Sequence, residues 1–401
     1  MNKSVWQDKV VLLGVTGGIA VYKAVEIAST LRKAGAKLRV IMTKNATRFV
    51  SPLTFREVGL APVYYDMWQE PLHYDMAHIS VAEEADLCLV APATANIIGK
   101  MANGIADDLL TTTLMATTSP ICLSPAMNTH MWENEAVLEN VAKLKSRGIK
   151  IIEPEAGHLA CGSVGQGRLP AIETILFELE SLLWPQDLAG KRFLITAGPT
   201  REFADDFRFI SNPSSGKMGI ALAKAAKLRG AEVELVLGPV SEEVPRGINV
   251  HRVISAMDML KTAEGLLEAS DVVIGAAAVS DFRPEKRFCG KVKRDSWGEK
   301  VTWPMVLNPD VLASLSQKRV NQVMIGFAAE SSDLIENASK KLAKKNLDMI
   351  IANDISQKDA GFEVNTNQVV IIGRGFQNQL PLITKEETAH KIIDILVEKL
   401  L

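Results

Sequence analysis

The chain has 401 residues, 47% of them hydrophobic and 23% charged, with a formal net charge of −2 at pH 7. That is the composition of an ordinary globular chain long enough for two domains. Near-neutral charge without a basic tract excludes the electrostatic footprint of a nucleic-acid binder or of a protein held on a membrane surface.

The first residues, MNKSVWQDK, lead directly into an apolar strand, with no apolar core for a signal peptide. No uninterrupted apolar stretch downstream is long enough to span a bilayer, so the expected compartment is the cytoplasm. Four cysteines without a C-x-x-C pair suit a reducing environment. After the strand at 10–15 comes GVTGGIAVYK, Gly14 to Lys23, a glycine-rich turn opening a helix over Ala20 to Ala34. Glycines let backbone amides approach a ligand, and a helix start favours an anion. The spacing is G-x-x-G-G, not the G-x-G-x-x-G of dinucleotide-binding folds, so close helix–strand packing stays open as the alternative.

Strands follow at 37–42, 86–91, 120–124 and 149–153, alternating with helix-period segments such as Glu135 to Arg147, which is the rhythm of a parallel sheet covered by helices. In such folds ligands bind beyond the carboxyl ends of the strands. After the second strand stands Met42-Thr43-Lys44-Asn45, without the acidic residue an NAD ribose needs; a lysine there suits NADP. The loop after the third strand, Ala91-Pro92-Ala93-Thr94-Ala95-Asn96, is read as a flat shelf of small residues for a ring system. Together these favour flavin mononucleotide, with its phosphate on Gly17, Gly18, Ile19 and Thr43 and its ring on Ala91, Pro92, Ala93 and Thr94. Helix packing is the competing reading of the shelf.

The next loops carry Met127-Asn128 and then Gly157 to Arg168, a glycine-rich stretch with Cys161 at its centre, read as a flexible lid. Cys88 and Cys122 lie in apolar strands and read as core. His78 precedes Ile79-Ser80-Val81 and is a candidate catalytic histidine, although a single histidine is more often structural. His73, His78, His158 and Cys161 do not make a metal-ligand set, so no metal site is expected.

A second start follows the stretch Trp184 to Gly190, where Lys191-Arg-Phe-Leu-Ile-Thr-Ala-Gly echoes Lys9-Val-Val-Leu-Leu-Gly. Domains are therefore expected at 1–189 and 190–401. Strands at 192–197, 232–237, 271–276, 322–327 and 348–352 and helices near 217–229, 256–268, 333–346 and 385–400 repeat the pattern. The expected fold is α/β, two doubly wound, Rossmann- or flavodoxin-like parallel-sheet domains in tandem. Ser214-Ser215-Gly216-Lys217-Met218 is not a P-loop, because Ser211 replaces the first glycine and Met218 the hydroxyl residue.

The run GVTGGIA, Ala77-His78-Ile79, APATAN, Pro125-Ala126-Met127-Asn128 and Ala160-Cys161-Gly162 together resemble the flavin-dependent cysteine decarboxylases. Arg208 to Gly219, Ala276 to Phe282, Lys291 to Arg294, Asn308-Pro309-Asp310 and Gly326 to Glu330 resemble the ligase half of the bifunctional coenzyme A biosynthesis proteins. The resemblance covers nearly the whole chain. For the first half it implies FMN-dependent decarboxylation of 4′-phosphopantothenoylcysteine to 4′-phosphopantetheine: the flavin oxidises the cysteinyl end, carbon dioxide leaves, and the electrons return. His78 would be the base, Asn128, beside Met127, would grip the substrate carboxylate, and Cys161 would donate the final proton, a role that suits a thiol with an ordinary pKa.

For the second half the resemblance implies ligation of 4′-phosphopantothenate with cysteine through an acyl-cytidylate, using CTP with Mg2+. Asp281, Asn308, Phe327, Lys341 and Lys345 match nucleotide-binding positions and Lys291 the lysine beside the reacting phosphate. Asn212 and Arg208 act on the phosphopantothenate side, and Ala276, Ala277, Pro309 and Asp310 complete the substrate-binding set. The plain reading of Lys341, in the run Lys340 to Lys345, is a solvated helix face. Cys289 has no assigned role. Partners are small molecules and further copies of the chain, with trimers through the flavin domain and dimers through the ligase domain. The rivals are a non-catalytic FMN-binding regulatory subunit and an NADP-dependent dehydrogenase; relatives of the former kind would lack the histidine or the lid cysteine.

Overall fold

The computed structural model describes residues 5–68, 77–159, 162, 164–293, 302–330, 333–354 and 364–401. Two compact units divide it, Met1–Trp184 and Pro185–Leu401, the break falling at the head of the 184–190 stretch.

Unit 1 is built on β1 (Val10–Val15), β2 (Lys37–Met42), β3 (Val63–Tyr64), β4 (Leu87–Ala93), β5 (Ile121–Pro125) and β6 (Lys150–Ile151). They form one parallel sheet in the order β3-β2-β1-β4-β5-β6. Helices α1 (Val21–Lys33), α2 (Pro52–Gly59), α3 (Ala77–Glu84), α4 (Ala95–Asn103), α5 (Leu109–Ala116), α6 (Thr129–Trp132), α7 (Glu135–Ser146) and α8 (Ile172–Ser181) complete the unit. Val11, Leu13 and Val15 pack against α1 and α8 on one face, whereas Leu12 joins Ile97, Leu109 and Val141 on the other. A sheet covered on both faces needs apolar residues at every position, which is why β1 reads VVLLGV without alternation. Leu12 and Leu13 are fully buried, each stabilising the unit by about 1.5–3 kcal/mol relative to exposure.

The stretch after β6 departs from the sequence expectation. Residues expected as a flexible lid form an antiparallel ribbon of β7 (Glu155–His158) and β8 (Val164–Arg168). Its glycines serve packing. A Cβ on Gly165 would stand 2.5 Å from Thr129 Oγ1, and one on Gly167, whose φ is +146°, would stand 2.2 Å from the Met127 carbonyl oxygen. The Met127 N–H donates to the Gly167 carbonyl at 3.0 Å, seating the ribbon on the segment after β5.

Unit 2 runs through β9 (Arg192–Ala197), β10 (Glu202–Phe203), β11 (Phe209–Ile210), α9 (Lys217–Leu228), β12 (Glu232–Leu237), β13 (Asn249–Arg252), α10 (Ala256–Leu267) and β14 (Val272–Gly275). It continues with β15 (Phe282–Pro284), β16 (Met305–Leu307), α11 (Val311–Lys318), β17 (Val323–Glu330), α12 (Leu334–Lys344), β18 (Met349–Asp354), β19 (Thr366–Asn367), β20 (Val369–Gly373), β21 (Phe376–Gln379), β22 (Ile383–Thr384) and α13 (Lys385–Leu400). The main sheet has the order β13-β12-β9-β14-β17-β18-β20-β21, parallel except for β20, which pairs antiparallel with both of its neighbours. Phe193, Ile195 and Ala197 face α9 and α13, while Leu194 faces α10 and α11. Both units are thus doubly wound α/β layers. The order reverses beside β1 in unit 1 and beside β9 in unit 2, which opens a crevice at the carboxyl ends of the strands there.

Candidate functional sites

In unit 1 a cavity of about 400 Å³ opens at that crevice. Gly17 to Ala20 from the β1–α1 turn, Thr94 after β4, Ala126 to Asn128 after β5, and His158, Gly167 and Arg168 from the ribbon line it. The two adjacent glycines of the turn meet different surroundings. A Cβ on Gly17 would lie 2.4 Å from Asn45 Cβ, so that glycine is required by packing against the loop after β2. A Cβ on Gly18 would meet nothing closer than Thr94 Cγ2 at 3.8 Å, so Gly18 is bare toward the cavity. Helix α1 has no side-chain N-cap and no acidic residue in its first turn, which leaves its positive dipole end for an anion.

The end of β4 is tied to β1 by Thr16, whose Oγ1 donates to the Pro92 carbonyl at 2.7 Å and accepts from the Thr94 N–H at 3.2 Å. This corrects the expected shelf. Ala91, Pro92 and Ala93 are not loop residues but the buried last three residues of β4, and of that segment Thr94 and Ala95 reach the cavity. The apolar run continued past residue 91 because small residues pack in a strand as readily as in a loop. Thr43, just after β2, donates its N–H to the Val15 carbonyl at 3.0 Å and lies outside the lining. His78 sits in the first turn of α3 and is also not part of the lining. Asn128 caps α6, its Oδ1 accepting from the His130 N–H at 2.9 Å. Cys161 lies outside the described residues. Burial pushes the Cys88 thiol up to about 11 and the Cys122 thiol up to about 12, as befits two core thiols.

In unit 2 a cavity of about 450 Å³ is walled by the loop into α9, the segment after β14, the end of β17 and β18. Of the residues expected from sequence, Asn212, Ala276, Ala277, Asp281, Phe327 and Lys341 line it. The Asn212 amide donates to the Val279 carbonyl at 2.9 Å, locking two walls together. Asn308 adjoins Asp281, its N–H donating to the Asp281 carbonyl at 2.8 Å. Lys341 pairs with Glu330 at 2.6 Å, and Lys345 with Asp310, the cap of α11, at 2.7 Å. Lys341 is therefore half-exposed yet directed by a carboxylate, rather than a freely solvated helix residue. Pro309 connects Asn308 and Asp310 outside the lining.

Lys291 and Arg208 also lie outside that lining but belong to one assembly. Fully buried Asp205 accepts from the Phe207 N–H at 2.8 Å, the Arg208 N–H at 2.6 Å, the Arg208 guanidinium at 2.7 Å and the Val292 N–H at 3.2 Å. Burial works against ionising this carboxyl, but those N–H bonds and the Arg208 charge outweigh it and hold its pKa below the usual range. Neighbouring Asp206 accepts from the Gly290 N–H at 2.9 Å and from Arg287 at 3.0 Å. Lys291 is thus held between two anchored residues, its ammonium 4.6 Å above the Phe207 ring.

Two family models divide the chain as the structure does: "Flavoprotein" matches residues 2–183, and "DNA/pantothenate metabolism flavoprotein C-terminal domain" matches residues 188–400. The coenzyme A biosynthesis bifunctional protein CoaBC of Bacillus subtilis is 47% identical over 388 residues, spanning 96% of this chain and 95% of that one. The chain belongs to the CoaBC family. The CoaBC proteins of Vibrio cholerae and Escherichia coli are 42% and 39% identical over 393 and 394 residues, each alignment covering 98% of this chain and 98% or 97% of the relative. As a CoaBC family member the chain is a bifunctional enzyme of coenzyme A biosynthesis with a flavoprotein half.

Within this CoaBC fold, several site residues carried no signal in the sequence. Lys385 is 6% exposed at the start of α13 and lines the unit 2 cavity with Lys217, Asn353 and Asn367. Burial first, and then the Lys217 charge, push the Lys385 pKa down to about 8, with Glu242 opposing. An isolated lysine heading an amphipathic C-terminal helix looks like a surface residue; only the sheet order brings it beneath the cavity. Asp205 and Asp206 did leave a trace, two adjacent acids among the aromatic residues and arginines of REFADDFRFI.

Proposed function

We propose that residues 1–189 carry an FMN-dependent decarboxylation of 4′-phosphopantothenoylcysteine and residues 190–401 a CTP-dependent ligation of 4′-phosphopantothenate with cysteine. The observation that carries the first assignment is the unit 1 cavity, where bare Gly18, the uncapped start of α1, Thr94, Met127 and Asn128 converge. An open glycine beside the positive end of a helix that no side chain caps fits the phosphate of FMN, with Gly17 and Ile19 shaping the turn. Thr43 and the Ala91 to Ala93 segment would support it from behind. Bound flavin would supply a two-electron oxidation of the cysteinyl end and its reversal after carbon dioxide leaves.

The chain's own groups do the rest. The Asn128 side chain, fixed at the head of α6, orients the substrate carboxylate beside Met127. His78 acts as base, reaching the flavin site of a neighbouring copy in the trimer proposed for the flavin domain. Cys161 delivers the last proton. In unit 2, CTP enters as its Mg2+ complex and lies along Asp281, Asn308, Phe327, Lys341 and Lys345, with Pro309 and Asp310 placing that wall. Lys291 meets the charge that develops as the carboxylate attacks the nucleotide. Asn212, Arg208, Ala276 and Ala277 position the phosphopantothenoyl group for cysteine, and the ligase domain works as a dimer. The expected compartment is the cytoplasm; among the described residues no helix is long and apolar enough to cross a membrane.

One experiment tests the whole reading. The purified chain is expected to be yellow, with the absorption bands of an oxidised flavin, and to convert phosphopantothenate, cysteine and CTP into pyrophosphate and carbon dioxide in equal amounts. A colourless protein, or a yellow one that releases neither product, overturns it.

A further inference from the structure

The unit 1 cavity holds two cations to which no role has been given. Lys23 stands in the first turn of α1, where a positive side chain faces the positive end of the helix dipole. Arg168 closes β8, its stem crossing the ribbon over Gly157, where a Cβ would lie 3.5 Å from Arg168 Cδ. Both line the cavity. Lys23 Nζ donates to the Leu169 carbonyl at 3.3 Å, and among the described residues neither cation is paired with a carboxylate within ion-pair distance. Burial and the Arg168 charge both lower the Lys23 pKa, while Glu155 and Glu26 work the other way. Two unneutralised cations beside a helix N-terminus repel one another, and an anion in the cavity would relieve all three at once.

We propose that Lys23 and Arg168 form a phosphate-monoester subsite that takes the phosphate of the acyl-cysteine substrate and so sets the decarboxylase half's preference for a phosphorylated substrate. FMN ends in the same group, so the chemistry has two sources. The geometry favours the substrate. Arg168 belongs to the ribbon that is hydrogen-bonded to Met127, the side assigned to substrate under the proposed function, on which this inference rests, whereas bare Gly18 already accounts for the flavin phosphate. An arginine on a fixed strand and a lysine on a helix offer a planar fork and a point charge to a dianion, which suits tight and oriented capture.

The test uses the flavin-loaded full chain and the variants Lys23→Gln and Arg168→Gln. Binding of 4′-phosphopantothenoylcysteine and of its dephosphorylated counterpart is measured by calorimetry, and turnover of both by carbon dioxide release. The expected result is that each variant weakens the phosphorylated substrate about tenfold or more, so that its advantage over the dephosphorylated one collapses, with flavin content unchanged. If the variants instead lose FMN, and lose its advantage over riboflavin, the subsite belongs to the flavin and the proposal is overturned. Equal weakening of both substrates with flavin retained also overturns it. A wild-type chain that prefers the phosphorylated compound in binding but turns over neither keeps the subsite and refutes the decarboxylase reading; one that turns over both while binding them equally does the reverse.

Discussion

Gly17 and Gly18 are adjacent, yet the structure assigns them different duties, and alanine at each position separates them. Neither has a positive φ, so alanine brings no backbone strain and the outcome depends on space alone. At Gly17 the new Cβ would stand 2.4 Å from Asn45 Cβ and 2.8 Å from the Asn45 carbonyl carbon, closer than any real contact, and the obstacle is a main chain that cannot rotate away. Such overpacking typically costs about 1–3 kcal/mol. For a unit of this size each kcal/mol moves the midpoint of thermal unfolding by roughly 2–4 °C, so Gly17→Ala should lower the flavin-free midpoint of unit 1 by about 4–8 °C for a 2 kcal/mol loss. At Gly18 the Cβ has only Thr94 Cγ2 at 3.8 Å, so the flavin-free midpoint should hold, or rise by up to about 1 kcal/mol equivalent from reduced chain entropy. The added methyl would instead enter the cavity, and FMN affinity, read from quenching of flavin fluorescence, should fall about tenfold. A Gly17 variant as stable as the parent, or a Gly18 variant that loses stability while holding flavin normally, refutes the division of labour.

His78→Asn should keep FMN bound and stop carbon dioxide release; near-normal decarboxylation removes His78 from the chemistry. Lys291→Gln should release no pyrophosphate from CTP and phosphopantothenate, whereas Asn212→Asp should accumulate the acyl-cytidylate and pass it slowly to cysteine, and labelled CTP with and without cysteine distinguishes the two. Lys385, whose pKa falls to about 8 in the folded chain from its ordinary 10.5, binds fewer protons folded than unfolded between those values, so its unfavourable contribution is present in full below pH 8 and fades as pH rises toward 10.5. Lys385→Met should therefore raise the unfolding midpoint of unit 2 at pH 7, by a margin that shrinks above pH 8, and weaken CTP binding; a margin independent of pH contradicts the buried ammonium. Under native conditions a thiol reagent should modify exposed Cys289 readily and spare buried Cys88 and Cys122 until the chain unfolds, which peptide mapping reads directly.

The tandem α/β plan was legible because a sheet covered on both faces demands unbroken apolar strands, and VVLLGV and RFLITA could be nothing else. The strands at 192–197 and 232–237 coincide with those observed for that reason. What escaped was structure that breaks the βα rhythm. β20 and β21 form an antiparallel hairpin turning at Arg374-Gly375, and the glycines of 157–168 looked like freedom when Gly165 and Gly167 are in fact pressed against the Thr129 side chain and the Met127 carbonyl. At the sites, turn residues such as Gly18 and Asn128 could be found from position alone. Residues that work from a distant element, Lys385 and Arg168 among them, could not, because their role depends on which strands become neighbours.

Asp205 draws a further consequence. One carboxylate grips both the Arg208 loop and the backbone beside Lys291, so a change in either segment is felt by the other through a shared anchor. Substitutions at Arg208 and Lys291 should therefore not add: a double-mutant cycle across the pair would return a coupling energy even though the two side chains are proposed to serve different partners. Evolution faces the same constraint. Under the proposed roles, the phosphopantothenate side and the nucleotide side of this ligase cannot drift independently, and a variant enzyme with altered specificity on one side would need compensation at, or around, residue 205.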